Sequence, residues 1–243
     1  MDSTDTRTQL ETLERGLERD RPRNSTRWVA AAAAAAAVVV AALVVVNVRG
    51  DDRTDTPADS VDTQVTTDVA SGFMAAVAAY DADRAASYLA DDASIQLRTS
   101  TVDAESTGRQ LRWNRAVEFR LIPRGCELES VSPPAATVAC AYDTHGLGSD
   151  RLGRGPFTGN VLRLTMVDDE IVTGVEELGS DEFEVTMWEP FVAWLVSNRA
   201  DEAAFMFADS PWAMRPALSE HSARLWATNV DRYVRAVERG EAP

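Results

Sequence analysis

The longest apolar run in the chain, Trp28–Val48, carries no charge and is mostly Ala and Val. At 1.5 Å per residue, about 20 residues cross a bilayer core of roughly 30 Å, so this run is expected to be a transmembrane helix. A buried Ala-rich core helix is the alternative, and an apolar surface on every side argues against it. A cleaved signal peptide has a shorter apolar core followed by a small-residue cleavage site. Here the run instead ends Val44-Val45-Val46-Asn47-Val48-Arg49. Residues 1–27 form a polar arm. Within it Leu10, Leu13 and Leu17 keep helical spacing and Glu11 can pair with Arg15, but an isolated helix this short is marginal in water. Residues 49–64 are acidic and poor in apolar side chains, as in a flexible linker.

Regular patterning begins near Val65. Val69, Phe73, Val77 and Tyr80 recur on one face of a helix. Asp81-Ala82-Asp83 interrupts it, and Asp83 is placed to cap a second, short helix with Ala85, Tyr88 and Leu89 on its apolar side. Asp91-Asp92 ends that helix, and Ser94–Leu97 alternates like a strand. Gly108–Phe119 reads as helical again. Two hairpins follow, Glu127–Val131 with Thr137–Tyr142 around Pro133-Pro134, and Phe157–Val167 with Ile171–Glu177 around Asp168-Asp169. Leu162, Leu164 and Met166 alternate with Arg163, Thr165 and Val167, the mark of a half-buried antiparallel strand. Beyond residue 180 the period is helical. Trp188, Phe191, Trp194 and Leu195 mark one helix, Ala203–Phe207 a shorter one, and Trp226, Val230, Tyr233 and Val237 a long last one. The expected organisation is a cytoplasmic arm (1–27), a transmembrane helix (28–48), a linker (49–64), an α+β domain with helices against one antiparallel sheet (65–179), and a C-terminal helical extension (180–243). That extension reads as packed on the domain, with a docking surface or a lid as the sharper alternatives.

Charge adds orientation and an exclusion. The formal charge is -15, and residues 1–27 balance six acidic against six basic side chains, so the excess falls after the apolar run. Such a domain repels nucleic acid within a Debye length of roughly 8 Å, and a nucleic-acid function is not expected. Arg15, Arg19, Arg21, Arg23 and Arg27 precede the run and only Arg49 and Arg53 follow it closely. The positive-inside rule then places the arm in the cytoplasm and the domain outside the cell membrane. All 24 basic residues are Arg, a bias of composition that carries no functional information.

The stretch from Ala75 to Ile95, with its helix, Asp81-Ala82-Asp83 turn, short helix and Leu89-Ala90-Asp91-Asp92-Ala93 before the first strand, resembles the opening of the NTF2-like superfamily. Ketosteroid isomerases and SnoaL-like polyketide cyclases are among its members. The resemblance covers the element order through about Glu177 and implies a cone of curved antiparallel sheet closed on one side by the N-terminal helices. Concave sites of this kind usually take ligands. Phe73, Val77, Tyr80, Leu97, Leu162, Leu164 and Met166 are the candidates for the cone lining. The fold hosts enzymes, binders and assembly modules alike.

Isomerase chemistry needs a base beside the substrate carbon and a donor at the developing oxyanion. At the positions matching the isomerase groups stand Phe73, which has no hydroxyl, and Leu97, which accepts no proton. No catalytic residue, cofactor or metal site is therefore assigned. His145 reads as a solvated loop residue, and His221 as a residue near the apolar face of its helix. Cys126, Cys140 and His145 have the wrong spacing for the usual structural zinc pairs. Gly146–Gly155 lacks the Lys-Ser/Thr ending of a P-loop and reads as a mobile loop at the cone rim. The only two cysteines, Cys126 and Cys140, are equidistant from the expected Pro133-Pro134 turn. Opposed positions of an antiparallel pair lie close enough for a disulfide, and an extracytoplasmic domain permits one. The leading expectation is a non-catalytic, membrane-anchored module that binds a protein partner or an apolar small molecule, or that self-associates through its sheet or C-terminal helices. The alternatives are an accessory subunit of a transport assembly, like the Mce-associated proteins of actinobacteria, which share this plan, and a SnoaL-like surface enzyme.

Overall fold

The computed structural model describes residues 61–209, 211 and 215–243. The arm, the Trp28–Val48 run and residues 49–60 of the linker lie outside the described residues. Among those described, no helix is long and apolar enough to cross a membrane.

The first helix, α1 (Thr63–Ala78), starts where Asp62 accepts hydrogen bonds from the backbone N–H groups of Gln64 and Val65, which satisfies donors a helix start leaves open. It buries Ala70, Phe73, Met74 and Ala76. Helix α2 (Ala82–Ala86) is capped by Asp81, whose side chain accepts from Arg84 N. The cap is thus Asp81 rather than Asp83, which lies inside the first turn. The helix is too short to reach Asp91-Asp92, and those two residues are exposed positions of strand β1 (Leu89–Gln96). Its register slips between Leu89 and Ser94, which lets two adjacent charges remain outside. Next come β2 (Thr101–Val102), α3 (Thr107–Ala116), β3 (Arg120–Ser132), β4 (Ala135–His145), β5 (Phe157–Val167) and β6 (Glu170–Glu177).

These strands form one six-stranded sheet in the order β2-β1-β6-β5-β4-β3. It is not wholly antiparallel, because β1 runs parallel to β6. A strand that reaches its neighbour from the far end of the sheet through α3 and two hairpins has no need of the reversal that a tight turn imposes. Register shifts also interrupt the β3–β4, β4–β5 and β5–β6 pairs. Bulges of this kind bend strands and increase twist, and here they curl the sheet around α1. The element order agrees with the plan the NTF2-like resemblance implied. Cys126 lies directly opposite Cys140 in the β3–β4 ladder, and the two are joined by a disulfide.

Two cores result. One lies between the concave face of the sheet and α1, with Met74, Ile95, Val138, Leu164, Met166 and Ile171 at its centre. The other is built by the C-terminal segment. A single π-helical turn (Glu184–Trp188) runs into α4 (Glu189–Asn198), then α5 (Ala200–Met206) and α6 (Glu220–Glu238). Their inner faces enclose Trp188, Phe191, Met206, Trp226, Val230 and Tyr233 together with Trp113, Val117, Leu147 and Phe157 from the α+β part. Because the second core uses residues from both parts, the C-terminal helices belong to the same folded body. The Gly146–Gly155 loop is packed into it as well. Leu147 and Ser149 are buried, and a Cβ at Gly148 would run into Val234 of α6. The loop is held there rather than loose at a rim.

Candidate functional site

A cavity of about 130 Å³ lies between α1, α3, the concave sheet and the start of the C-terminal segment. Phe73 and Val77 border it from α1, Leu97 from the β1–β2 turn and Leu162 from β5. Leu164 and Met166 share the inward face of β5 but are sealed into the first core. Tyr80 ends α1 away from the cavity, and its hydroxyl donates to the carbonyl of Phe119 at 2.8 Å. Burial raises the pKa of that phenol, partly offset by Arg120 and Arg115. Leu178 after β6 and, from the C-terminal segment, Phe183 and Trp188 complete the wall, so that segment contributes to the cavity as well as forming its own core.

Within these mostly apolar walls, the Tyr142 hydroxyl donates to the carboxylate of Glu176. Tyr142 points inward by simple alternation with Ala136, Val138 and Cys140 along β4, all of them buried. Glu176 points inward because of a bulge. At the start of the β5–β6 hairpin Val167 faces Glu170 and Met166 faces Ile171, but beyond the slip Thr165 faces Thr173 and Leu162 faces Glu176. One extra residue, Val172, has entered β6. Such a slip turns every later side chain to the opposite face. Val175, which regular pairing would place opposite Leu162, is 46% exposed on the outside, and Glu176 takes the place opposite Leu162. Gly174 belongs to the same inward series, since a Cβ there would stand 2.8 Å from Ile95 Cδ1.

The pair is fastened at the mouth. The backbone N–H of Arg98, in the β1–β2 turn, donates to the second oxygen of Glu176 at 2.8 Å. The Arg98 guanidinium instead pairs with Glu184 at the start of the C-terminal helices. Desolvation lowers the pKa of Arg98, opposed by Glu176 and Asp181. Desolvation also raises the pKa of the Tyr142 phenol far above its ordinary value, and the charge and hydrogen bond of Glu176 act in the same direction. The phenol is therefore a fixed donor at neutral pH. On the opposite wall Ser100 Oγ donates to Gln110 Oε1 at 2.8 Å and Gln110 Nε2 donates to Asn114 Oδ1 at 2.9 Å. Trp113, also in the wall, is buried and its indole N–H has no partner among the described residues.

Chemically, the cavity offers an apolar volume with one carboxylate–phenol pair and spare donors across from it. Phe73 and Leu97, the positions where the isomerase resemblance points, do line it, but the hydroxyl and the carboxylate come from Tyr142 and Glu176 on other strands. Neither His serves the cavity. His145 ends β4 and is buried, its Nδ1 3.0 Å from Ser149 Oγ. Because β4 runs further than the pattern suggested, His145 lies inside the fold rather than in solvent. His221 is on the exposed side of α6, edge-on to Phe205. Among the described residues no group of three or more His, Cys, Asp or Glu is placed to hold a metal ion.

No protein-family model and no curated protein matches this chain. Among solved structures, it is similar to an NTF2-like protein of unknown function from Cytophaga hutchinsonii at 13% identity, covering 49% of this chain and 93% of that one, with a TM-score of 0.35. An NTF2-like protein with a cystatin-like fold from Novosphingobium aromaticivorans shares 13% identity over 51% of this chain and 87% of that one, TM-score 0.39. A protein with a ketosteroid isomerase-like fold from Catenulispora acidiphila shares 13% identity over 46% of this chain and 85% of that one, TM-score 0.35. Likeness at this level assigns neither a family nor an activity.

Proposed function

We propose that this chain is a membrane-anchored, extracytoplasmic module of NTF2-like plan that binds a small apolar molecule in the cavity beneath its sheet. The observation that carries the reading is a cavity of about 130 Å³ walled mainly by apolar side chains, with the Tyr142–Glu176 pair set into it. Few convergent polar groups in an otherwise apolar concavity are the usual composition of a ligand site. The volume is close to that of an engineered cavity of about 150 Å³ that admits benzene, so the occupant is about one ring in size. The uncharged Trp28–Val48 run and the Arg residues before it support the anchor and its orientation. The disulfide supports an oxidising compartment.

Binding is tested with the full-length protein in lipid nanodiscs and a single-ring apolar probe such as toluene. A rise in melting temperature that Leu162→Phe abolishes is expected, and no shift at saturating probe would refute the reading. Protease applied to intact spheroplasts should digest the domain, while its full protection would refute the orientation.

One observation favours a second reading, proton-transfer catalysis in the same cavity. A phenol donating to a carboxylate inside an apolar wall is an arrangement that can hold and move a proton. Turnover of small enone or hydroxyketone substrates that falls at least a hundredfold in Glu176→Gln would favour it over binding alone.

A further inference from the structure

Glu176 is half-buried and, among the described residues, carries no ion pair of its own, its direct hydrogen bonds coming from neutral groups. Its two partners, the Tyr142 hydroxyl and the Arg98 backbone N–H, are uncharged donors. The Arg98 guanidinium forms its ion pair with Glu184, with Glu176 and Asp181 within Coulombic reach of the same group. The mouth therefore holds three carboxylates against one cation. A second cation that reaches the half-buried Glu176 meets a mouth in which one guanidinium is shared among three carboxylates, and its attraction is stronger there than in open water. Each oxygen of Glu176 accepts one of these hydrogen bonds and keeps a free lone pair.

The walls are suited to a cation too. Phe73, Trp113, Phe119, Phe157, Phe183 and Trp188 all line the cavity beside Tyr142. The faces of such rings attract ammonium groups, most strongly when water is excluded. The net charge of -15 draws cations toward the domain and repels anions. Purely neutral ligands would gain from the apolar walls and leave Glu176 as it is.

From these features we propose that the cavity selects a small lipophilic monocation, a protonated amine with about one ring, its ammonium at Glu176 and its body against the aromatic walls. This rests on the reading of the cavity as a ligand site. It makes Glu176 the residue that decides ligand class, and Glu184 a positioning residue that keeps the Arg98 guanidinium from occupying the ammonium's place.

The test compares three probes of matched size, benzylamine, benzyl alcohol and benzoate, by calorimetry at pH 7 on the full-length protein in zwitterionic nanodiscs. Benzylamine should bind roughly tenfold or more tighter than benzyl alcohol, in line with one desolvated cation–ring and carboxylate contact, and benzoate should bind weakest. Glu176→Gln should bring benzylamine down to the affinity of benzyl alcohol. Glu184→Gln, at the rim, should also weaken benzylamine severalfold by freeing Arg98 to turn toward Glu176, and it keeps the test decisive if the Glu176 variant does not fold. Equal or tighter binding of benzyl alcohol, or an amine preference that survives both substitutions, would overturn the amine inference and leave the apolar-ligand reading in place. Absence of binding by all three probes would overturn both.

Discussion

Trp226 and Leu162 are both almost wholly buried, at 0% and 5% exposure, yet their surroundings differ. Trp226 is enclosed by the rings of Trp113, Trp188, Phe191 and Phe207, with centroids 5.7, 5.8, 5.5 and 5.0 Å away. Its indole N–H donates to the carbonyl of Met206 at 3.0 Å. Leu162 instead faces the cavity. Lining atoms of an empty space lose contacts that packed neighbours would supply. The same chain surrounds Trp226 with aromatic rings and leaves a cavity beneath the sheet, where Trp113 and Trp188 of the second core form part of the wall, and it places its carboxylate–phenol pair there. Stability alone accounts for the packed rings but not for the cavity, which is why the functional reading rests there.

If the C-terminal core is the filled one, truncation there should have the largest effect. Trp226→Ala is expected to destabilise the protein by about 3–5 kcal/mol through the lost ring contacts and cavity. The stranded Met206 carbonyl keeps Ser222 Oγ at 3.3 Å as a partner, so the penalty for an unmet hydrogen bond is small. Urea denaturation followed by far-ultraviolet circular dichroism measures it. A loss below about 1 kcal/mol would mean that this region is no better packed than the cavity side.

The disulfide belongs to the hollow half, and its removal ranks next. Cys126 and Cys140 are 14 residues apart, and a closed loop of about 15 is worth roughly 3 kcal/mol in the chain-entropy model. The double variant Cys126→Ala/Cys140→Ala should lose about that much in the same denaturation experiment. It should also weaken probe binding, since Tyr142 stands only two residues beyond the cross-linked Cys140. Unchanged stability would place the restraint elsewhere.

How far the sequence exposes this contrast differs between the two halves. The C-terminal core follows helical period, so Trp188, Phe191, Trp226, Val230 and Tyr233 can be read directly. Alternation likewise marks Leu162 as inward, and equal distance from Pro133-Pro134 pairs the cysteines. The polar pair is a different matter. Regular pairing about Asp168-Asp169 turns Glu176 outward, and only the unpaired Val172 reverses it. A bulge leaves no period in the sequence. Its one trace is Gly174, which fits where a side chain would strike Ile95. His145 was hidden for a related reason, because β4 continues past the hydrophobic run into Asp143, Thr144 and His145, which are polar yet buried. The parallel pairing of β1 with β6 is non-local and has no local signal at all.

Enlarging a side chain separates the halves by the size of its cost. Leu162→Phe adds volume toward an existing void and should leave stability within about 1 kcal/mol of the parent, whereas Val230→Phe in the filled core should cost about 1–3 kcal/mol by overpacking. Paired melting curves give the comparison. If both substitutions cost the same, the space beside Leu162 is not available to a ligand.

The smallest expected effect comes from alkaline pH. Burial raises the pKa of Tyr142 in the folded protein above its ordinary value near 10, with Glu176 acting in the same direction. The folded state therefore holds that proton after the unfolded chain has released it. The sign follows from linkage: this contribution is complete below pH 10 and declines as pH rises above 10, because the unfolded state then binds fewer protons. The slope is at most about 1.4 kcal/mol per pH unit for one group. Tyr80 and Tyr233 are shifted in the same direction by burial and add to the decline. Of the three, only Tyr142 borders the cavity. Denaturant midpoints measured from pH 8 to 11 should fall with a shallower slope in Tyr142→Phe than in the parent. That variant also removes the donor to Glu176, so its stability at pH 8 should already be lower by about 1.5–3 kcal/mol, the range for a hydrogen bond to a charged group. Identical slopes in the two proteins would show that Tyr142 is open to water, and the cavity would then be a wet cleft rather than the dry counterpart of the aromatic core.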